Sequence, residues 1–186
     1  ICLFRRKAGT QRKARILIVD RYNWTGFDYS AVCSILKSQC QFRFFTEQFR
    51  NSSALEFEQA KTYLPVVLYE VCVDLECFPM ELDWERETDR QVLIKHASIA
   101  SRCESRMERI MEAFSPDLVV FPQGHVMESS IARRLCCESG TKVLAVENTF
   151  HSGKFLWDNV SGITVNKNLS ANYVWKYLDF TNEGTA

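Results

Sequence analysis

The residues best suited to chemistry fall in three short stretches, each directly after an apolar run. Asp20, Asn23, Thr25, Gly26 and Asp28 follow the run Ile16–Val19. Gln123, Gly124, His125 and Glu128 follow Leu118–Phe121, and Glu147, Asn148, His151 and Ser152 follow Val143–Val146. Imidazole titrates near neutrality, so His125 suits a general base or a hydrogen-bond donor to an anion. The competing reading is a loop histidine that caps the next helix. His151 stands in the same position after the third run. Glu128 can pair with His125 or Arg133, or it can simply favour the positive end of a helix. Tyr22, Trp24 and Phe27 offer faces on which a sugar or base can stack, or a cover for a sheet edge. His96 lies among charged residues at helical spacing and reads as a helix-face residue.

Several chemistries lack their motifs. There is no GxGxxG and no Walker loop, so any nucleotide phosphate would rest on a bare helix N-terminus near Met127. There is no GxSxG nucleophile elbow, and Ser129-Ser130 falls inside an expected helix. The eight cysteines form no CxxC pair and no cluster with zinc spacing, so no metal is expected and the thiols read as reduced. A formal net charge of zero argues against holding nucleic acid by bulk charge. The basic residues Arg5, Arg6, Lys7, Arg12, Lys13 and Arg15 cluster before the first run, either as a solvated tail or as a contact for anionic lipid. No stretch reaches the roughly 18 apolar residues of a spanning helix. The expected location is cytoplasmic, with a peripheral contact at the inner membrane left open.

The elements that must position these residues follow from periodicity. Ile16–Asp20, Asp117–Pro122 and Lys142–Asn148 are β-branched, continuous runs, as expected of strands buried on both faces. Gln41–Glu47 reads as a further strand. Helices are expected over 29–38, over 53–63 with a Ser53/Glu56 capping box, over 90–114, and over 127–138 with Gly140 as the stop. In the 90–114 helix, Leu93, Ala97, Ala100, Cys103, Met107, Ile110 and Phe114 recur at steps of three and four. Leu64-Pro65 is expected to end the second helix, and Val66–Val73 fits strand and helix equally well. Beyond Asn148, strands over 154–157 and 162–165 and a helix over 169–178 are expected. Alternating strands and helices predict an α/β, Rossmann-like three-layer domain with a mostly parallel sheet. Its expected limits are 15–180, after a basic segment at 1–14 and before a tail or linker at 181–186. In such a sheet, ligands bind beyond the carboxyl ends of the strands.

The stretch Ser115-Pro116-Asp117-Leu118-Val119-Val120-Phe121, with Gln123-Gly124-His125, Ile131–Leu135 and Val143–Asn148, resembles a known family. Phe155–Asp158, Gly162 and Val165-Asn166 extend the likeness. The family is the bacterial capsular-polysaccharide biosynthesis proteins, glycosyltransferases of GT-B-like architecture, and the likeness covers about residues 115–168. The chain departs from it by having Gln123-Gly124-His125 where Asn-Gly is common and Ile163–Asn166 where a compact Gly-Val-Asn is common. The resemblance implies two Rossmann-like domains with the active site between them, of which this chain would be the N-terminal, acceptor-side half. With Ile1 in place of Met, the chain is expected to be a processed or truncated product, inactive without its second domain. A sugar would pass from a nucleotide-sugar donor to a glycan acceptor in surface or capsular polysaccharide synthesis, without a cofactor. His125, Glu128 and Asp28 would be the candidate catalytic residues. Asn23, Trp24, Thr25, Gly26, Gln123, Gly124, Glu147, Asn148 and His151 would contact substrate. The alternatives are a non-catalytic ligand-binding or interaction module on the same sheet, or another nucleotide-dependent transferase of Rossmann-like fold.

Overall fold

The computed structural model describes residues 12–19, 29–45, 54–122, 126–148 and 155–158. Five strands form one sheet in the order β2-β1-β3-β4-β5. They are β1 (Ala14–Ile18), β2 (Cys40–Phe44), β3 (Leu118–Pro122), β4 (Lys142–Asn148) and β5 (Phe155–Asp158). The first four are parallel, and β5 runs antiparallel to β4. The chain is thus an α/β domain of the three-layer, Rossmann-like kind expected from the alternation of its elements.

Helix α1 (Tyr29–Leu36) joins β1 to β2. Helices α2 (Phe57–Thr62), α3 (Leu64–Leu75) and α4 (Glu87–Phe114), with a 3₁₀ turn at Pro79–Glu81, join β2 to β3, and α5 (Met127–Ser139) joins β3 to β4. The step from β1 to β2 runs one way across the sheet, and the other two crossovers run the opposite way. Right-handed crossovers in opposite directions place their helices on opposite faces. The packing agrees. Leu17, Val19, Val119, Phe121 and Ala145 share a buried cluster with α2 to α5, while Ile16, Ile18, Leu118, Val120 and Val146 face the side on which Tyr29, Cys33 and Leu36 of α1 pack. Alternate residues of each strand therefore serve different layers.

The thicker layer is organised by α4. All seven residues of the expected apolar stripe, from Leu93 to Phe114, are buried. The helix ends where Ser115 turns left-handed (φ 44°) ahead of Pro116, a conformation that stops propagation. The thinner layer is sparse by contrast. No residue of α1 is buried, and Ile35 is 77% exposed.

Two expectations change. The second helix ends at Thr62, ahead of Leu64-Pro65 as expected, but Pro65 also stands in the first turn of a new helix, α3, where a missing N–H costs nothing. The segment 66–73 is accordingly helical, and α2 and α3 meet at Tyr63, whose N–H returns to Ala60 and whose carbonyl already serves Val66 and Val67. The start of α2 also moves from the expected residue 53. Helix α2 begins at Phe57 with Glu56 as its N-cap and no side-chain cap bond, and Ser53 lies outside the described residues. Elsewhere the boundaries move by a few residues, and the 154–157 strand is found as β5. The expected elements at 162–165 and 169–178 lie outside the described residues.

The base of the sheet is held by Asp117. Its carboxylate accepts the backbone N–H of Arg15 (2.7 Å) and pairs with the Arg12 guanidinium (2.7 Å), while its own N–H donates to the Arg15 carbonyl (2.8 Å). This fixes the register of β1 on β3 at the end remote from the strand C-termini. Partial burial pushes its carboxyl up, but the Arg15 N–H and the Arg12 and Arg15 charges outweigh that and hold it below the ordinary range.

The layer asymmetry predicts unequal mutational costs. Phe121→Ala, which empties a fully buried site in the α4 layer, should lower unfolding free energy by about 3–5 kcal/mol in urea titration. Ile35→Ala on exposed α1 should change it by about 0.5 kcal/mol or less. Equal costs at the two positions would contradict the packing described.

Candidate functional site

Strand order reverses between β1 and β3: the chain leaves β1 toward β2 on one side and later enters β3 on the other. Crevices at such a switch are the usual ligand sites of open parallel sheets, at the carboxyl ends of the strands. Here the pairing runs to the end of β1, with Val19 N–H donating to the Val120 carbonyl (2.8 Å), while β3 continues to Pro122. Of the residues singled out from sequence, Asn23, Trp24, Thr25, Gly26, Asp28, Gln123, Gly124, His125 and His151 lie outside the described residues. Glu128, Glu147 and Asn148 are described. Glu147 and Asn148 belong to β4 and are paired in register with Leu156 and Phe155 of β5, so their backbone is part of the sheet. Glu128 stands in the first turn of α5, partly buried. The serines Ser129 and Ser130 are buried within α5.

A group not singled out from the sequence occupies the start of α5. The N-cap of this helix is Val126, which has no side-chain oxygen, so the first free N–H of the helix needs a partner from elsewhere. Glu70 of α3 supplies it: its Oε1 accepts the backbone N–H of Met127 at 2.7 Å. The other oxygen, Oε2, is shut off from solvent and has no hydrogen-bond partner among the described residues. Burial is the main force on this carboxyl and raises it from about 4.5 to about 7. The Met127 N–H opposes that rise, and the negative charges of Glu128 and Asp74 add to it. A helix N-terminus normally draws a carboxyl down; here desolvation wins because one oxygen has nothing to replace its lost water.

The helix α3 holds Glu70 in place by its other contacts. Val67 and Val71 are fully buried against the core. Asp74, one turn beyond Glu70, accepts from Lys95 Nζ (2.6 Å) and lies 2.8 Å from His96 Nε2, both on α4. These two partners, Lys95 first, hold the Asp74 carboxyl below its ordinary range. His96 is thus engaged in fixing α3 on α4, in keeping with a helix-face residue. Two carboxylates four residues apart on one helix are in this way driven in opposite directions, the buried one toward neutrality and the paired one toward full ionisation.

A carboxyl that titrates near neutrality, anchored through one oxygen and unpartnered at the other, is equipped to take up or release a proton. It lies against the first turn of α5, the helix that follows β3 in the chain and carries Glu128. Among the described residues no three His, Cys, Asp or Glu side chains cluster closely enough to hold a metal ion. No helix among them is long and apolar enough to cross a membrane. The sequence signal that could have found Glu70 is slight: an acidic residue within the apolar run 66–73.

The raised carboxyl makes stability depend on pH. Between about pH 4.5 and 7 the folded chain holds more protons at Glu70 than the unfolded chain. Its contribution is complete below the lower value and is lost as pH rises through the upper one. Glu70→Gln keeps an oxygen for the Met127 N–H and removes the titration. Relative to wild type, the variant should therefore gain roughly 1–3 kcal/mol in urea-unfolding free energy between pH 4.5 and 8. A difference that stays constant with pH would show that Glu70 is not a buried, near-neutral carboxyl. Compared with known proteins, the chain matches no protein-family model, no curated protein and no solved structure, so the reading of this site rests on its own geometry.

Proposed function

We propose that this chain is an acceptor-side domain of a glycosyltransferase, in which Glu70 is the general base. The observation that supports this reading most is the Glu70 carboxyl, raised to about 7 by burial against the first turn of α5. Sugar transfer needs a base that is largely unprotonated near neutral pH yet basic enough to draw a proton from an acceptor hydroxyl. An ordinary exposed carboxylate is too weak a base, and a lysine is protonated. In the proposed step, acceptor binding uncovers Glu70 Oε2, which then accepts the proton of the acceptor hydroxyl. The hydroxyl oxygen attacks the anomeric carbon of the donor, and the bond from that carbon to the nucleotide phosphate breaks.

The resemblance over residues 115–168 supports the same class of reaction and supplies the rest of the assignment. In this reading Glu70 takes the base role for which His125, Glu128 and Asp28 are the candidates from sequence, and those three act beside it. The loop residues Asn23, Trp24, Thr25, Gly26, Gln123 and Gly124, with Glu147, Asn148 and His151, contact the glycan. The nucleotide-sugar donor is bound chiefly by a second domain. No resident cofactor or metal is part of this reading. It places the reaction in surface or capsular polysaccharide synthesis at the cytoplasmic face of the inner membrane, with Arg5, Arg6 and Lys7 touching anionic lipid.

A second reading, a non-catalytic ligand-binding module, draws on the Met127 N–H bond itself. Capping α5 gives Glu70 a structural task that needs no reaction. The two readings separate in one experiment. Full-length protein is assayed with a panel of nucleotide sugars and glycan acceptors, for wild type and Glu70→Gln. The transferase reading expects kcat to fall by roughly 10²–10⁴-fold with KM little changed. It also expects the acid limb of the wild-type kcat profile, near pH 7, to be absent from the residual rate. Transfer that persists unchanged in Glu70→Gln would remove Glu70 as the base. Glycan binding without turnover in the wild type would favour the binding module.

A further inference from the structure

The C-terminus of α3 closes in a way that brings two cysteines together. Glu76 adopts the left-handed conformation (φ 51°), the Cys77 N–H donates to the Cys72 carbonyl (3.1 Å) and the Glu76 N–H donates to the Val73 carbonyl (3.3 Å). These are the two bonds of a Schellman motif. The residues joined by its outer bond regularly touch through apolar side chains. In this chain both of those residues are cysteines, and the Cys77 thiol is near enough to add to the burial that pushes the Cys72 thiol up. Both are free and partly buried. Both also line a 530 Å³ groove between α3 and α5, walled further by Tyr69, Val73, Phe78 and Pro79. Among the other described thiols, Cys40, Cys103 and Cys136 are buried, and burial pushes Cys136 up to about 12; burial also pushes Cys72 up.

We propose that Cys72 and Cys77 are a modification site, a dithiol that closes reversibly to a disulfide by exchange with low-molecular-weight disulfides such as oxidised glutathione. One thiol gives its proton to solvent, and the thiolate attacks a sulfur of the small disulfide. A mixed disulfide forms and one small thiolate leaves, taking up a proton. The second protein thiol loses its proton and attacks the protein-side sulfur of the mixed disulfide, and the second small thiolate leaves. The protein gives up two electrons and two protons, and the small disulfide gains both as two thiols. The cross-link spans the turn from α3 into the 3₁₀ segment and so fixes Phe78 and Pro79, one wall of the groove. The Schellman hydrogen bonds hold the two residues in contact before reaction, which is what distinguishes this pair from a flexible one.

Trypsin releases residues 62–86 as one peptide, which contains Cys72 and Cys77 and no other cysteine. The full chain is equilibrated in glutathione redox buffers, folded or in urea, then alkylated and digested. In the folded chain this peptide should appear unalkylated and lighter by two hydrogens. Its ratio of disulfide to dithiol should be at least about tenfold higher than in urea at the same buffer composition, a factor that reads directly as the ratio of the two exchange constants. The Cys77→Ser variant should stop at a single glutathione adduct on Cys72. A folded ratio equal to or below that in urea would overturn the proposal. So would a folded wild-type peptide that carries only alkyl groups or two glutathiones across the buffer range.

Discussion

Burial of one face of α4 against the parallel sheet is the constraint on which the other features depend. A 28-residue helix with a stripe of small and medium apolar side chains can lie close to its neighbours along its whole length. Leu93, Ala97, Ala100, Cys103 and Met107 are fully shielded, and Leu17, Val119 and Phe121 meet the same cluster from the sheet. Because the stripe is narrow, α4 has flanks left over, and α2, α3 and α5 all pack on them. Polar contacts then set the neighbours' positions. The Leu55 N–H donates to Ser98 Oγ, Tyr63 Oη donates to Glu104, and Arg134 of α5 pairs with the same Glu104. The apolar contact gives most of the stability; the polar ones select one arrangement of helices among several of similar area.

That arrangement accounts for the chemistry of Glu70. The helix α3 is pinned on α4 by Val67 and Val71 inside and by Asp74 with Lys95 and His96 at the rim. With both ends of the turn fixed, the Glu70 carboxylate faces the start of α5 and takes its partner there. It finds one N–H and no second donor among the described residues. The resulting cost of ionisation is held in place by packing that is far stronger than the cost itself. Sites that retain an under-satisfied polar group generally do so because the surrounding structure over-determines its position. The same turn of α5 has no side-chain cap of its own, so α3 and α5 are coupled through Glu70: one element's unmet hydrogen bond is the other's anchor.

Asp117 and Glu70 illustrate two uses of a carboxylate. Asp117, at the strand N-termini, is surrounded by donors from Arg12 and Arg15 and is stabilised as an anion. It locks β1 to β3 and has no lone pair in search of a partner strong enough to change its protonation. Glu70, at the start of α5, has burial without compensation. The difference between the two acids lies in the number of donors around each, since both accept a backbone N–H at 2.7 Å.

Much of the architecture was legible in the amino-acid order. The β-branched runs of β1, β3 and β4 announce strands buried on both faces, and the three-and-four spacing from Leu93 to Phe114 identifies the buried face of α4 residue by residue. Gly140 marks the end of α5, where it takes the left-handed conformation (φ 68°). These signals are local, because period and chain stiffness act over a few residues. The helix α3 was ambiguous for an equally local reason: 66–73 is apolar almost throughout, which suits either period, and Pro65 serves a first turn as readily as it ends one. What only the tertiary structure decided is the state of Glu70. Its donor, Met127, is 57 residues away in the chain, and its shielding comes from helices distant from one another in sequence. Desolvation is a property of what surrounds a group in space, so the residue whose protonation matters most here could be recognised as a buried acid only once the helices around it were in place.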